Sequence, residues 1–464
     1  MALKRDACCV CLFTQHVSRI TQHVSRTNQK DSTMTDSTWF THDRFGLFIH
    51  WGIYALPARH EWIKNRELIA DEEYQKYFDH FDPDLYNPST WAQAAKNAGM
   101  KYFVVTTKHH DGFCLWDSAL TDYKATNTPA KRDLLKPMVQ AFRNEGMKVG
   151  FYHSVIDWHH PEFPVDGLHP MRENLEFREQ AKHREIARYR EYLHGQTREL
   201  LTGFGKVDVM WFDFSYSSRD WGWSKGKGKA DWDSERLMAM VRELQPGILV
   251  NDRLEIGGDL KTPEQYQPAG KMMVDGKPVL WEACQTLNGS WGYHRDNLDW
   301  KSGDMLIRML IDGVSKDGNL LLNVGPNARG EFEPKALDRL QEIGAWMRLH
   351  SRSIYGCGAS EFAPPPDCRY TQTSPERSRR EGNRLYLHIF DWPFRHVHLS
   401  GLGDRVAYAQ LLSDASEVKM RVVDPHQGAQ NTTMGGLAPN TLTLELPVQK
   451  PPVSVPVIEL FLKS

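Results

Sequence analysis

Between Trp39 and about His350 the apolar residues fall in short runs separated by longer amphipathic or charged stretches. The runs read as strands over 46–51, 102–108, 148–154, 207–214, 248–252, 279–284 and 319–324. Between them a 3.6-residue periodicity predicts helices. One opens at Pro88-Ser-Thr-Trp-Ala, with proline at a helix start. A long charged pattern runs from Arg172 to Leu201, with Ile186, Tyr189, Leu193 and Leu200 on one stripe. Others cover 234–244, where Ser234 suits an N-cap, and 335–348. Strands alternating with helices imply βαβ units and a parallel sheet. Seven or eight such units in about 310 residues fit a TIM-like (β/α)-barrel, typically ~250 residues plus insertions. The alternative, a doubly wound open sheet, would want a glycine-rich phosphate turn, and no G-x-G-x-x-G occurs.

The rhythm changes after Ser351. Gly356-Cys357-Gly358 and Pro364-Pro365-Pro366 mark a junction, and strand-like runs follow at 384–390, 396–399, 406–412, 417–423, 441–446 and 453–462. Short strands broken by Gly, Pro and Asp read as an antiparallel β-sandwich. The segment Pro375–Glu381 reads as a charged loop. The expected organisation is a disordered tail over 1–38, a catalytic barrel over 39–352 and a C-terminal β-sandwich over 353–464. With no long Gly/Ser linker, the sandwich should pack on the barrel. In the tail, Gln15–Arg19 recurs as Gln22–Arg26, and Cys8, Cys9, Cys11, His16 and His23 match no zinc spacing. Met34, just before ordered-looking sequence, is a candidate start.

Composition narrows the function. Lys+Arg is 57 and Asp+Glu 59, a net charge of −2, which argues against a nucleic-acid partner. No apolar run approaches the ~20 residues that span a bilayer. Seven scattered Cys make no disulfide framework, although a Cys357–Cys368 pair is open. With no convincing signal segment, the chain is expected to be cytoplasmic. Secretion is left open, and only then would Asn288-Gly-Ser290 and Asn431-Thr-Thr433 be glycosylation sequons. A homo-oligomer is equally open. The chain has 15 Trp, 16 Tyr and 20 Phe. Core packing claims most of them, but an indole face also stacks on sugar C–H surfaces.

Barrel enzymes carry their chemistry at the C-terminal ends of strands. Those ends here are rich in His, Trp, Asp and Glu: His50-Trp51, Lys108-His109-His110-Asp111, Tyr152-His153-Ser154, Trp211-Phe212-Asp213 and Trp281-Glu282. Side chains alternate along a strand, so Val207, Val209, Trp211 and Asp213 should share the inward face. Asp213 is then a carboxylate at the barrel mouth, a candidate nucleophile. A glycoside hydrolase needs a second carboxyl group. Glu282, Asp296 and Glu61 are the candidates. The histidines raise a rival, a metal-dependent barrel hydrolase, but His109 and His110 are adjacent rather than His-x-His, and no H-E-x-x-H occurs. Hydrogen bonding to a polyol suits them better, because each buried hydroxyl must be paired.

The motifs resemble those of the α-L-fucosidases of glycoside hydrolase family 29. They are Trp39-Phe40, the run Arg44–Gly52, the run Tyr102–Phe113, Asp208–Asp213 and Gly318–Pro326, in that order. The resemblance implies a retaining exo-glycosidase that releases terminal α-L-fucose from a fucosylated glycan, with no metal and no other cofactor. It implies Asp213 as nucleophile, and His50, Glu61, Trp62, His109, His110, Tyr152 and Trp211 as residues that hold the sugar. The family varies in its acid/base. In Trp291-Gly-Tyr-His-Arg-Asp296-Asn297 a position that is Glu in some members aligns with Asn297, so Asp296 is the expected acid/base and Glu282 the alternative. A non-catalytic, lectin-like fucose binder on the same scaffold is the competing class.

Overall fold

The computed structural model describes residues 37–422 and 437–463, with the backbone of two short strands at 428–429 and 432–433. The readings of the N-terminal tail and of the Asn431 sequon lie outside the described residues. Eight parallel strands run in chain order around a barrel: β1 (Phe45–Ile49), β2 (Tyr102–Lys108), β3 (Lys148–Ser154), β4 (Val209–Asp213), β5 (Leu249–Val250), β6 (Leu260–Lys261), β7 (Leu280–Thr286) and β8 (Asn319–Val324). β8 pairs with β1, and a single parallel bridge from Asn251 to Leu260 joins β5 to β6. The two-residue β6 is the strand that periodicity misses, because two residues carry no alternation to read.

The helical layer includes α1 (Pro88–Ala98), α2 (Leu135–Asn144), α3 (Ile186–Gly203), α4 (Ser234–Leu244), α5 (Gly303–Val314) and α6 (Pro334–His350). Local chemistry sets their ends. The Asn87 side chain accepts from Ser89 N–H before Pro88, and Gly99 closes α1 in the left-handed region at φ 89°. The long charged pattern from Arg172 is broken by extended backbone at Arg184 and Glu185, so α3 starts at Ile186. Tyr189, Leu193 and Leu200 are buried on the expected stripe. Ser234 is the first helical residue of α4, and Asp233 occupies the cap position.

The barrel interior is filled by alternate side chains: Phe48 from β1, Tyr102 and Val104 from β2, Tyr152 from β3, Val209 and Trp211 from β4, Cys284 from β7 and Leu321 from β8, closed below by Phe40. Val207 does not join them. β4 starts two residues later, and Val207 packs in the outer layer with Met210 and Phe212.

The C-terminal region forms an antiparallel sandwich of a five-stranded and a three-stranded sheet with its own core. Cys357 and Cys368 are both free. Cys357 pairs in the ladder with Thr373, at the far end of the strand that Cys368 opens. Pro375–Glu381 is a helix rather than a loop, with Ser374 accepting from Arg377 N–H and proline in the first turn. Asn288 is buried, which takes its sequon off the surface. No helix among the described residues is long and apolar enough to cross a membrane.

Barrel and sandwich meet through polar contacts that only the folded chain aligns. Trp346 Nε1 donates to Val455 O at 2.8 Å, and Arg308 donates to Phe390 O at 2.9 Å. Arg44, buried ahead of β1, donates to Cys357 O at 2.9 Å and Asp317 O at 2.8 Å. Replacing Arg44 by Met should lower the unfolding free energy by about 1–3 kcal/mol for each carbonyl left unpaired. Thermal or urea melts check this; an unchanged midpoint would show that the junction does not rely on Arg44.

Candidate active site

The C-terminal ends of the strands converge on a cavity. Phe48, His50, Trp62, His109, His110, Tyr152, Trp211 and Asp213 line it, joined by Phe214, Arg253, Glu264, Cys284 and Trp291. Asp213 ends β4 with its side chain inward, above Trp211. Tyr152 OH donates to Asp213 Oδ2 at 2.6 Å and Arg253 Nη1 to Asp213 Oδ1 at 2.8 Å. Burial raises the Asp213 carboxyl pKa above its ordinary value, and the Arg253 charge is the main force pulling it back.

The imidazoles are prepared as neutral acceptors. Burial lowers His50 to about 3. Asn323 Nδ2 donates to Trp291 O, so Asn323 Oδ1 accepts from His50 Nδ1–H at 2.7 Å. Ser154 donates its hydroxyl to Ile156 O and so accepts from His110 Nδ1–H at 2.7 Å. Each ring then offers a bare Nε2, and that of His110 lies 3.8 Å from Asp213 Oδ2. His109 Nδ1 is buried with no hydrogen-bond partner among the described residues. These groups match a ligand rich in hydroxyl donors. Among the described residues no group of three His, Cys, Asp or Glu side chains is placed to hold a metal ion.

Two residues that sequence reasoning missed complete the site. Arg253 follows β5 and Glu264 follows β6, so both obey the strand-end rule. β6 shows no periodicity in the sequence, and the strand-end reading does not take in β5. Arg253 Nη1 holds Asp213 while its Nη2 donates to Glu264 Oε2 at 2.7 Å. The guanidinium lies 4.6 Å over the Trp211 ring, and its Nε donates to Thr262 at 3.1 Å.

Three expected residues are placed elsewhere. The Asp296 side chain is 67% exposed beside Arg295 and does not line the cavity. Glu282 is fully buried beneath it, accepting from Trp211 Nε1 at 3.0 Å and Tyr102 OH at 2.9 Å. It orients the indole on which Arg253 rests. Glu61 accepts from Gly292 N–H at 2.7 Å and anchors the loop that carries Trp291.

The chain matches the family model described as alpha-L-fucosidase over residues 11–352. It is 30% identical to the plasma alpha-L-fucosidase of Rattus norvegicus over 391 residues, 76% of this chain and 77% of that protein. Among solved structures it is similar to alpha-L-fucosidase isoenzyme 1 from Paenibacillus thiaminolyticus, with TM-score 0.83 and 48% identity over 92% of this chain and 99% of that one. A family 29 alpha-L-fucosidase from Bacteroides thetaiotaomicron, trapped as a covalent intermediate with 2-fluoro-fucosyl fluoride, aligns with TM-score 0.76 and 27% identity over 92% of this chain and 96% of that one.

Glu282 gives the site a stability signature. Desolvation raises its pKa from 4.5 to about 7 despite the two donors. A raised folded-state value adds stability that is full below the unfolded value and is lost as pH rises through the folded one. The wild-type melting temperature should therefore fall between pH 5 and 8 more steeply than that of Glu282→Gln, which cannot ionise. Parallel slopes in the two proteins would contradict this.

Proposed function

The chain belongs to the alpha-L-fucosidase family, and from that premise we propose that it is a retaining exo-glycosidase that removes terminal alpha-L-fucose from fucosylated glycans. Asp213 attacks the anomeric carbon while Glu264 protonates the departing oxygen. Water, deprotonated by Glu264, then releases fucose from the glycosyl ester on Asp213. His50, His109 and His110 accept from the sugar hydroxyls, and Trp62 and Trp291 close around the ring.

The observation that carries this reading is the bridge by Arg253. Both carboxylates lie within the span of one guanidinium. That suits the ~5–5.5 Å separation of retaining pairs better than the ~6.5–9.5 Å of inverting ones. The charges are also consistent. Before attack Asp213 is anionic and Glu264 protonated; afterwards Asp213 is an ester and Glu264 anionic. Arg253 therefore faces one negative charge at each stage. Arg253 and Tyr152 favour the ionised form of Asp213 against the burial that raises its pKa.

Asp213→Gly should lose hydrolysis of an aryl fucoside and, with added azide, yield β-fucosyl azide by direct displacement. Product analysis by NMR checks the anomer; hydrolysis at wild-type rate would end the assignment. Glu264→Ala should lose about 10²–10⁴-fold on a fucosyl oligosaccharide and much less in the first step on an activated aryl fucoside, because only a poor leaving group needs the proton. Azide should yield α-fucosyl azide there, by attack on the ester. Asp296→Ala should keep near-wild-type rates on both substrates. Leaving-group dependence in Asp296→Ala and none in Glu264→Ala would return the role to Asp296.

A further inference from the structure

The segment between β3 and α3 and the loop after β4 build a second cavity on the same face of the barrel. Its wall carries Trp223, Leu175, Arg178 and Arg184. Trp223 is 43% exposed, with the Arg178 guanidinium 3.5 Å over its ring. Among the described residues neither Arg178 nor Arg184 has a carboxylate in ion-pair range. The Arg184 guanidinium donates to Phe163 O at 3.0 Å. Of the nearby acids, Glu162 pairs with Arg188 and Asp71 with Lys64, while Glu179 pairs with Lys182 on the cavity wall itself. The cavity therefore places two guanidinium groups without a direct ion pair beside a half-exposed indole, with the Glu179–Lys182 pair on the same wall.

The platform is fixed. Asp166 accepts from Tyr216 OH at 2.6 Å and pairs with Lys227, tying the two segments together. Trp221 packs on Gly167, where a Cβ would meet its ring at 2.2 Å. Aromatic contacts lead here from the first cavity: Phe214 lies 5.5 Å from Tyr216, which lies 6.2 Å from Trp221, two residues before Trp223. Preorganised guanidinium groups beside an aromatic face suit an anion carried on a pyranose, because the ring stacks its C–H face while the arginines take the oxyanion.

We propose that this cavity binds an acidic sugar, bearing a carboxylate or a sulfate, on the glycan from which fucose is removed. The substrate part of the proposal rests on the fucosidase reading; the binding part does not. The test therefore begins with glycans that lack fucose. Sialyllactose, sulfated lactose and neutral lactose are titrated into the full chain and followed by calorimetry or saturation-transfer NMR. At least one acidic sugar should bind about tenfold or more tighter than lactose, an ordinary return for a charge-assisted contact. Which one binds distinguishes carboxylate from sulfate. Arg178→Gln, Arg184→Gln and Trp223→Ala should each abolish that difference while leaving aryl fucoside hydrolysis unchanged. Fucosylated acidic glycans should then show a kcat/KM advantage over neutral ones that the same variants remove. Equal binding of acidic and neutral sugars, or an acidic preference that survives in all three variants, would overturn the proposal. Loss of aryl fucoside hydrolysis in the wild type with acidic binding intact would instead count against the fucosidase reading.

Discussion

One guanidinium between two carboxylates governs the barrel mouth. Asp213 is buried, and a buried carboxyl group gives up its charge unless a cation or donors hold it. Arg253 and Tyr152 supply both. Arg253 is itself located by Thr262 and by the face of Trp211. Trp211 is located by Glu282, and Glu282 by Tyr102. A chain of single contacts thus runs from Asp213 to the barrel floor. A change deep in the interior should reach Asp213 through it.

The brevity of β5 and β6 makes this arrangement possible. Each has only two residues, where β2, β3 and β7 have seven. Beyond those short ladders the chain is free to turn Arg253 and Glu264 back over the cavity. Asn251 compensates for the missing ladder. Its side chain accepts from Phe212 N–H at 3.0 Å and donates to Phe212 O at 2.8 Å, holding β5 to β4 one step from Asp213.

Much of this was legible in the sequence because burial on both faces leaves long apolar runs. The spans 102–108, 148–154 and 319–324 coincide with β2, β3 and β8. Alternation brought Trp211 and Asp213 to one face, and the strand-end rule found His50, His109, His110 and Tyr152. It failed where a strand was too short to show a period, which hid Glu264 behind β6. The resemblance points to Asp296 as the titratable neighbour of Asn297 after Trp291-Gly-Tyr293. Nothing in residue type reveals that Arg59 and His294 bridge there and leave Arg295 and Asp296 in solvent. Glu61 and Glu282 are acids of the right kind, but one holds a backbone amide through Oε2 and the other has both oxygens taken by Trp211 and Tyr102. Only three-dimensional contacts show that.

In the proposed reaction Asp213 forms the bond to the sugar and Glu264 does not. Incubation with 2-fluoro-fucosyl fluoride, followed by proteolysis and peptide mass spectrometry, tests it most directly. The fluorine slows release more than attack, so a glycosyl-enzyme accumulates. The account predicts a single fluorofucosyl adduct on Asp213. An adduct on Glu264, or none on an enzyme that hydrolyses aryl fucosides, would contradict it.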